Sequence, residues 1–333
     1  METQPSPSRR QVLKGLAVLG GVAAVGGGAA VVWQILSSPD RKTAPSDPTS
    51  LEGLAGAVVS GGPGKDGIPA IDRPRFVSAA GADFLTGDQP VFGLDYGGEI
   101  RAYPQLVLVW HEIVNDAVGD QLLSITYCPL TGTAVGYHSP PGQKLTFGTT
   151  GNLVNSNLLM YDRQTDSQWL QILGTAITGP LKGNRLSTEP LVWTTWNAWR
   201  NAHPNTKVLS ADTGFLRSYG TDPYGSYPRR SGYYASGEPI FPVQARDHRF
   251  AAKDVVVGVR AGDGRLAIHK DHLRRVQAIE TQSGGTRVRA HWDNQLDTAL
   301  VEQQVEGRWE AADYLDAMWF AWYAFYPHTE VLP

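Results

Sequence analysis

The stretch PVFGLDYGGEIRAY, residues 90–103, holds two β-prone runs that turn at Gly97-Gly98. A Gly-Gly pair between such runs is a hairpin signal, because glycine takes the positive φ that a two-residue hairpin turn demands. The same punctuation runs through the whole chain. Its 37 glycines and 22 prolines in 333 residues cut the sequence into short segments, which favours strands and turns over long helices. The fold expected is mainly β, of the α+β kind, with many short antiparallel strands and a few short helices.

Working outward from the hairpin, Pro104 suits the first position of a helix running to about Asp116, since its missing N–H would be unpaired there anyway. Leu106, Trp110 and Ile113 share one face of that helix, which places His111 at the edge of a buried stripe. Residues 122–127 alternate like a strand delivering Cys128, and residues 134–138 continue after a turn. Residues 144–148 and 157–161 read as strands and the polar run 162–167 as a loop. Residues 195–202 read as a short helix capped by Thr194 or Thr195 and stopped by Pro204. Residues 312–326 are aromatic almost all round, as a buried closing helix would be.

An internal echo bears on domain organisation. Residues 91–136 fall without a gap on residues 256–301, with Gly93, Gly97, Ala102, Leu108, Gly119, Thr133 and Ala134 landing on Gly258, Gly262, Ala267, Leu273, Gly284, Thr298 and Ala299. Two related half-domains are one reading and shared hairpin grammar is the other. Under the first, Asp293 stands where Cys128 does and Val276 where His111 does, so any chemistry belongs to the first half.

The N-terminus reads as an export signal. Ser8-Arg9-Arg10-Gln11-Val12-Leu13-Lys14 has the form of a twin-arginine signal, and residues 15–36 carry no charge. That run is long enough to cross a bilayer core of roughly 30 Å, so a retained anchor is expected, with Arg9, Arg10 and Lys14 on the cytoplasmic side. Residues 37–55 have the Ser, Pro, Asp and Thr content of a tether. Residues 56–333, about 280 in all, suffice for a single β-rich domain with a substantial core. The partners expected are the twin-arginine translocase during export and the membrane through residues 1–36, with the domain on the periplasmic or extracytoplasmic face.

Composition narrows the function. The formal net charge is −3 and no basic block lies beyond the signal, which excludes the concentrated positive footprint of a nucleic-acid binder. Cys128 is the only cysteine. An exported chain normally holds its cysteines as disulfide pairs, so a lone thiol is either packed as a small hydrophobe or kept for its chemistry. The ten tryptophans fit a β-rich core better than a sugar platform, because most stand beside apolar residues.

Two stretches concentrate reactive groups, Trp110-His111-Glu112-Ile113-Val114-Asn115-Asp116 and Tyr127-Cys128-Pro129-Leu130-Thr131-Gly132-Thr133. A cysteine nucleophile needs a base and the base an orienting group, roles open to Cys128, His111 and Asn115 or Asp116. A metal would use the same atoms. Thiolate and imidazole suit copper, zinc or iron, and the Met160 thioether tilts the choice towards copper. Asp162 and Arg163, in a third polar stretch, are candidates for holding a small cofactor together with Thr131 and Thr133. His269 and His272 could meet on one helix face, although the surrounding charges favour a solvated surface.

Taken in order, Arg101-Ala102-Tyr103-Pro104, the two stretches above, Phe147-Gly148, residues 157–165, Trp169 and Thr194-Thr195-Trp196 resemble the domain-of-unknown-function family DUF3179 from about residue 90 to the end. Some members of that family have a second cysteine where Thr131 stands. This chain departs from that pattern, so the resemblance does not imply a dithiol reaction for it. Three functions follow: binding of a transition metal, copper by preference, or a small cofactor; catalysis by Cys128 with His111 as base; or a non-catalytic cell-surface binding module.

Overall fold

The computed structural model describes residues 49–333, so the expected signal and anchor over 1–36 and most of the expected tether over 37–55 lie outside the described residues. No described helix is long and apolar enough to cross a membrane. The described chain opens with helix α1 (Leu51–Gly56) and strands β1 (Val59–Ser60) and β2 (Phe76–Ser78). A first unit follows, made of the hairpin β3 (Pro90–Tyr96) and β4 (Glu99–Pro104), helix α2 (Gln105–Leu108) and a meander β5 (Ile113–Val118), β6 (Gln121–Cys128) and β7 (Thr133–His138). Strands β8 (Phe147–Val154), β9 (Asn157–Asp162), β10 (Gln168–Leu170) and β11 (Thr175–Thr178) come next. The unit is completed by β12 (Ser187–Glu189), β13 (Val192–Thr195), α3 (Trp196–Ala202) and β14 (Lys207–Leu209).

A connecting segment, with β15 (Gly225–Ser226), β16 (Ser231–Gly232) and a 3₁₀ turn at Tyr233–Ala235, leads to the second unit. Its elements are β17 (Val255–Ala261), β18 (Gly264–His269), α4 (Lys270–Val276), β19 (Ala278–Ser283), β20 (Thr286–Asp293), β21 (Thr298–Val305), β22 (Arg308–Ala311), β23 (Asp313–Met318), α5 (Trp319–Phe325) and β24 (Glu330–Leu332).

The two units have the same plan. Each pairs a hairpin-centred sheet with a meander sheet, β13-β3-β4-β14-β2 and β12-β7-β6-β5 in the first, β23-β17-β18-β24 and β19-β20-β21-β22 in the second. The registers coincide as well. Val91 faces Pro104 as Val256 faces His269, Ile113 faces Thr126 as Ala278 faces His291, and Cys128 faces Thr133 as Asp293 faces Thr298. The first unit alone carries an insertion, which forms the sheet β1-β8-β9-β10-β11 with the N-terminal strand.

Packing explains why the same residues recur. Helix α3 lies over β3 with Trp199 pressed on Gly93, where a Cβ would stand 2.1 Å from the indole, and α5 presses Trp322 on Gly258, where it would stand 2.2 Å away. Only glycine leaves room for either ring. Each indole N–H then finds a threonine, Trp199 Nε1 donating to Thr206 Oγ1 at 3.0 Å and Trp322 Nε1 to Thr329 Oγ1 at 2.9 Å. A buried indole N–H needs such a partner. Both hairpins turn through glycine at positive φ, Gly97 at +61° and Gly98 at +80° in the first.

Several boundaries differ from the sequence reading. The helix expected over 104–116 stops at Leu108, because Glu112 adopts a left-handed φ of +59° and the β-branched pair Ile113-Val114 opens β5. The helix expected over 312–326 begins only at Trp319, since Asp313–Met318 is drawn into a full ladder with β17. Here tertiary pairing overrides helical periodicity. The strand placed at 144–148 starts at Phe147. Folded chain begins within the tether assigned to 37–55, as α1 with Leu54 buried in the core. The helix after Thr195 forms as read, with Thr195 Oγ1 accepting from Ala198 N at 3.3 Å.

Candidate functional site

Cys128 ends β6 and opens a turn in which Thr131 N donates to the Cys128 carbonyl at 3.3 Å and Gly132 takes a φ of +60°. Its thiol is enclosed, with 1 % of the residue exposed, and Sγ donates weakly to Ser156 O at 3.7 Å. Burial, and then the neighbouring Glu112 carboxyl, push its pKa up to about 11. A reactive cysteine sits beside positive charge and is partly open; this one has neither feature.

His111 is fully buried at the corner after α2. Its Nδ1 lies 2.7 Å from Pro69 O, and a carbonyl can only accept, so Nδ1 carries the proton. Nε2 therefore accepts from the Tyr219 hydroxyl at 2.6 Å, while Tyr219 also bonds Thr213. Phe215 packs on the imidazole at a centroid distance of 5.4 Å. Desolvation lowers the His111 pKa to about 4, which keeps the ring neutral at physiological pH. Both nitrogens are engaged, and neither engages Cys128.

The threonines of the turn belong to a closed network. Thr131 Oγ1 bonds Thr133 Oγ1 at 2.9 Å, Thr133 Oγ1 donates to Gln171 Oε1 at 2.8 Å, and Asn157 Nδ2 reaches Thr131 Oγ1 at 3.0 Å and Gln171 Oε1 at 2.8 Å. Gln171 Nε2 donates onward to Thr126 Oγ1 at 3.0 Å. Every one of these groups is buried and mutually satisfied, so the network holds the insertion against the Cys128 turn. Thr131 and Thr133 do that work here; their hydroxyls are not turned out towards a cofactor.

The remaining candidates lie in other settings. Asn115 bonds Asp72, Ser124 and both backbone groups of Phe147, and Asp116 bonds Arg101 at 2.6 Å, Tyr103 at 2.6 Å and its own neighbour Ala117 N at 2.7 Å. Neither orients His111. Asp162 caps its own turn, accepting from Thr165 N, Thr165 Oγ1 and Trp169 Nε1. It lies at the far end of β9 from Asn157, the strand's contact with Thr131, about 16 Å along an extended strand. Arg163 is partly exposed and pairs with Asp72 at 3.2 Å, away from the thiol's neighbours. Met160 is buried in the insertion sheet, opposite Thr149 and Trp169. His269 precedes α4 and approaches Asp254 at 3.5 Å, while α4 carries exposed Asp271, Arg274 and Arg275, so this helix is the charged surface expected. Among the described residues no group of three or more His, Cys, Asp or Glu could hold a metal ion.

Sequence reasoning missed the residues that surround the thiol. Glu112 is buried, and desolvation raises the pKa of its carboxyl to about 8. The segment YGTDPYGSYPRRSGYY, residues 219–234, folds over this corner with its tyrosines inward. Tyr224 lies near Glu112 and Cys128, Tyr233 donates to Leu130 O at 2.7 Å, Tyr227 meets Tyr127 at 3.3 Å, and Tyr234 stacks on Tyr227 at 3.8 Å between centroids. Beneath them Asp222 accepts from Gln105 Nε2 and from Tyr234, each at 2.7 Å. The density of tyrosine was the available signal.

Fold and site together define a mostly β domain of two like units, with a buried thiol and imidazole at one corner of the first. A family model described as a protein of unknown function, DUF3179, matches residues 65–309, and the chain belongs to that family. No curated protein and no solved structure matches it.

Proposed function

We propose that this chain is a non-catalytic binding module, exported by the twin-arginine route and held at the outer face of the membrane by residues 1–36, with Cys128 as a packed, unreactive thiol. The observation that carries the reading is the engagement of both His111 nitrogens, by Pro69 O and the Tyr219 hydroxyl, beside a thiol whose burial keeps it protonated. A nucleophile needs a thiolate and a free base, and a metal needs a deprotonated thiol and a free imidazole nitrogen. Neither requirement is met by this arrangement.

Iodoacetamide labelling of natively exported protein tests the assignment. Cys128 should react slowly near neutral pH, with and without a chelator, and react fully after denaturation. Fast labelling of untreated protein would establish the nucleophile instead, and labelling released only by chelator would establish a metal. For localisation, a variant with both Arg9 and Arg10 changed to lysine should remain in the cytoplasm, because the export receptor reads the pair; normal export of that variant would overturn the route.

A further inference from the structure

A cavity of about 160 Å³ opens beside the Cys128 turn, with Gly132 as one wall. Trp193, Tyr227, Tyr234, Val255 and Met318 form most of its lining, and two basic side chains, Lys253 and Arg230, complete it. Trp193 meets Tyr227 edge to face at 5.3 Å, so the aromatic side is already fixed by packing.

The cations are unusual for what they lack. Lys253 is 6 % exposed, and its ammonium donates to Tyr233 O and Ser236 Oγ and lies 3.2 Å from the centre of the Tyr233 ring. An ammonium has three N–H donors, so one remains. Arg230 is exposed at the mouth. Neither has a carboxylate within ion-pair distance among the described residues, although eighteen such pairs occur elsewhere, several of them at the surface. The acids close by have other partners: Glu238, the carboxylate that Lys253 feels, pairs with Arg246 at 2.7 Å, and Asp254, near Arg230, takes Ala251 N and His269. Burial without a counterion pulls the Lys253 pKa down to about 7, and an anion entering the cavity would favour the charged ammonium again.

We propose that this cavity binds a small organic carboxylate, gripped by the Lys253 ammonium and the Arg230 guanidinium with its short apolar body against Trp193, Tyr227 and Met318. The volume equals the liquid share of about five water molecules, which suits a ligand of a few carbon atoms. The aromatic and thioether lining disfavours a strongly hydrated anion such as phosphate. The proposal rests on the binding-module reading, but Cys128 labelling tests that reading independently of this cavity.

The test is calorimetric titration of the full chain in detergent with three probes: butyrate, n-butylamine and inorganic phosphate. Butyrate should bind saturably with a dissociation constant of about 0.1–1 mM, and the other two should not. Lys253→Met should weaken butyrate about tenfold, the loss of one charge-assisted hydrogen bond. Arg230→Gln, an exposed change that leaves the fold untouched, should weaken it about threefold and keeps the test decisive if Lys253→Met fails to fold. No saturation by about 10 mM butyrate, equal binding by Arg230→Gln, or a preference for phosphate or the amine would each overturn the proposal.

Discussion

The first and second units share a backbone plan but not a chemistry, and the difference lies in what has been laid over them. Glu112 and Gln277 occupy the same left-handed corner, at φ +59° and +67°. Each closes a helix by donating its N–H to a leucine, Glu112 to Leu108 O at 2.7 Å and Gln277 to Leu273 O at 2.8 Å. Each also accepts from the strand opposite, from Tyr127 N and Trp292 N, both at 2.8 Å. The positive φ at Glu112 is therefore a requirement of the corner, common to both units, and not strain reserved for chemistry.

The side chains diverge where the cover begins. Gln277 is exposed and donates to Arg274 O, and Val276, next to it, is 44 % exposed; Glu112 and His111 at the matching places are buried. Three additions found only around the first unit make that burial. The N-terminal segment brings Pro69 O to His111, the insertion brings Ser156, Asn157 and Gln171 to the Cys128 turn, and the connecting segment brings Tyr219, Tyr224 and Tyr233. In the second unit Asp293 stands in place of Cys128 and holds its turn alone, Oδ1 accepting from Gln295 N and Leu296 N at 2.8 Å each. An open turn is stabilised by its own carboxylate, whereas a covered one can replace that carboxylate with a thiol.

The strongest test of the shared plan is steric. Gly93→Ala and Gly258→Ala should each destabilise the protein by about 3 kcal/mol in denaturant melts, because each methyl lands inside an indole that the rest of the unit holds in place. Similar losses at both sites are expected. A loss at one site only would mean that the two helices pack on their sheets in different ways.

How far this plan was legible from sequence depends on the element. Hairpin, thiol-bearing strand and threonine-capped helix could be read because a Gly-Gly turn, alternation and an N-cap are local signals. The corner at Glu112 could not, since QLVLVWHEIV satisfies helical spacing and only the pairing of Ile113 with Thr126 decides for strand. A clear signal was passed over in the helices that close each unit: Trp196, Ala198, Trp199, Pro204, Thr206, Val208 and Leu209 recur as Trp319, Ala321, Trp322, Pro327, Thr329, Val331 and Leu332. The spacing there is 123 positions and not 165, because the insertion lies in between. At the candidate site the sequence placed Cys128 and His111 in one corner but gave no sign that Tyr219 would occupy the imidazole, a contact made across 108 positions.

A gentler test concerns the covered corner itself. Glu112 ionises near 4.5 when exposed but keeps its proton to about 8 in the fold, because burial penalises the carboxylate. Between those values the folded state binds the extra proton. The carboxyl's favourable contribution is thus fully present below about pH 4.5 and is lost as pH rises through 8, at about 1.4 kcal/mol per pH unit. Glutamine, the residue that the second unit uses at this corner, has nothing to ionise. Glu112→Gln should therefore leave the unfolding free energy nearly unchanged at pH 5 and raise it at pH 8, by an amount of the order of a few kcal/mol at most, with the melting temperature rising accordingly. Gln277→Glu, on the exposed copy, should change stability by less than about 0.5 kcal/mol at either pH. Parallel melting profiles of Glu112→Gln and the parent from pH 5 to 9 would mean that water reaches Glu112, and the contrast between a covered and an open corner would then fail.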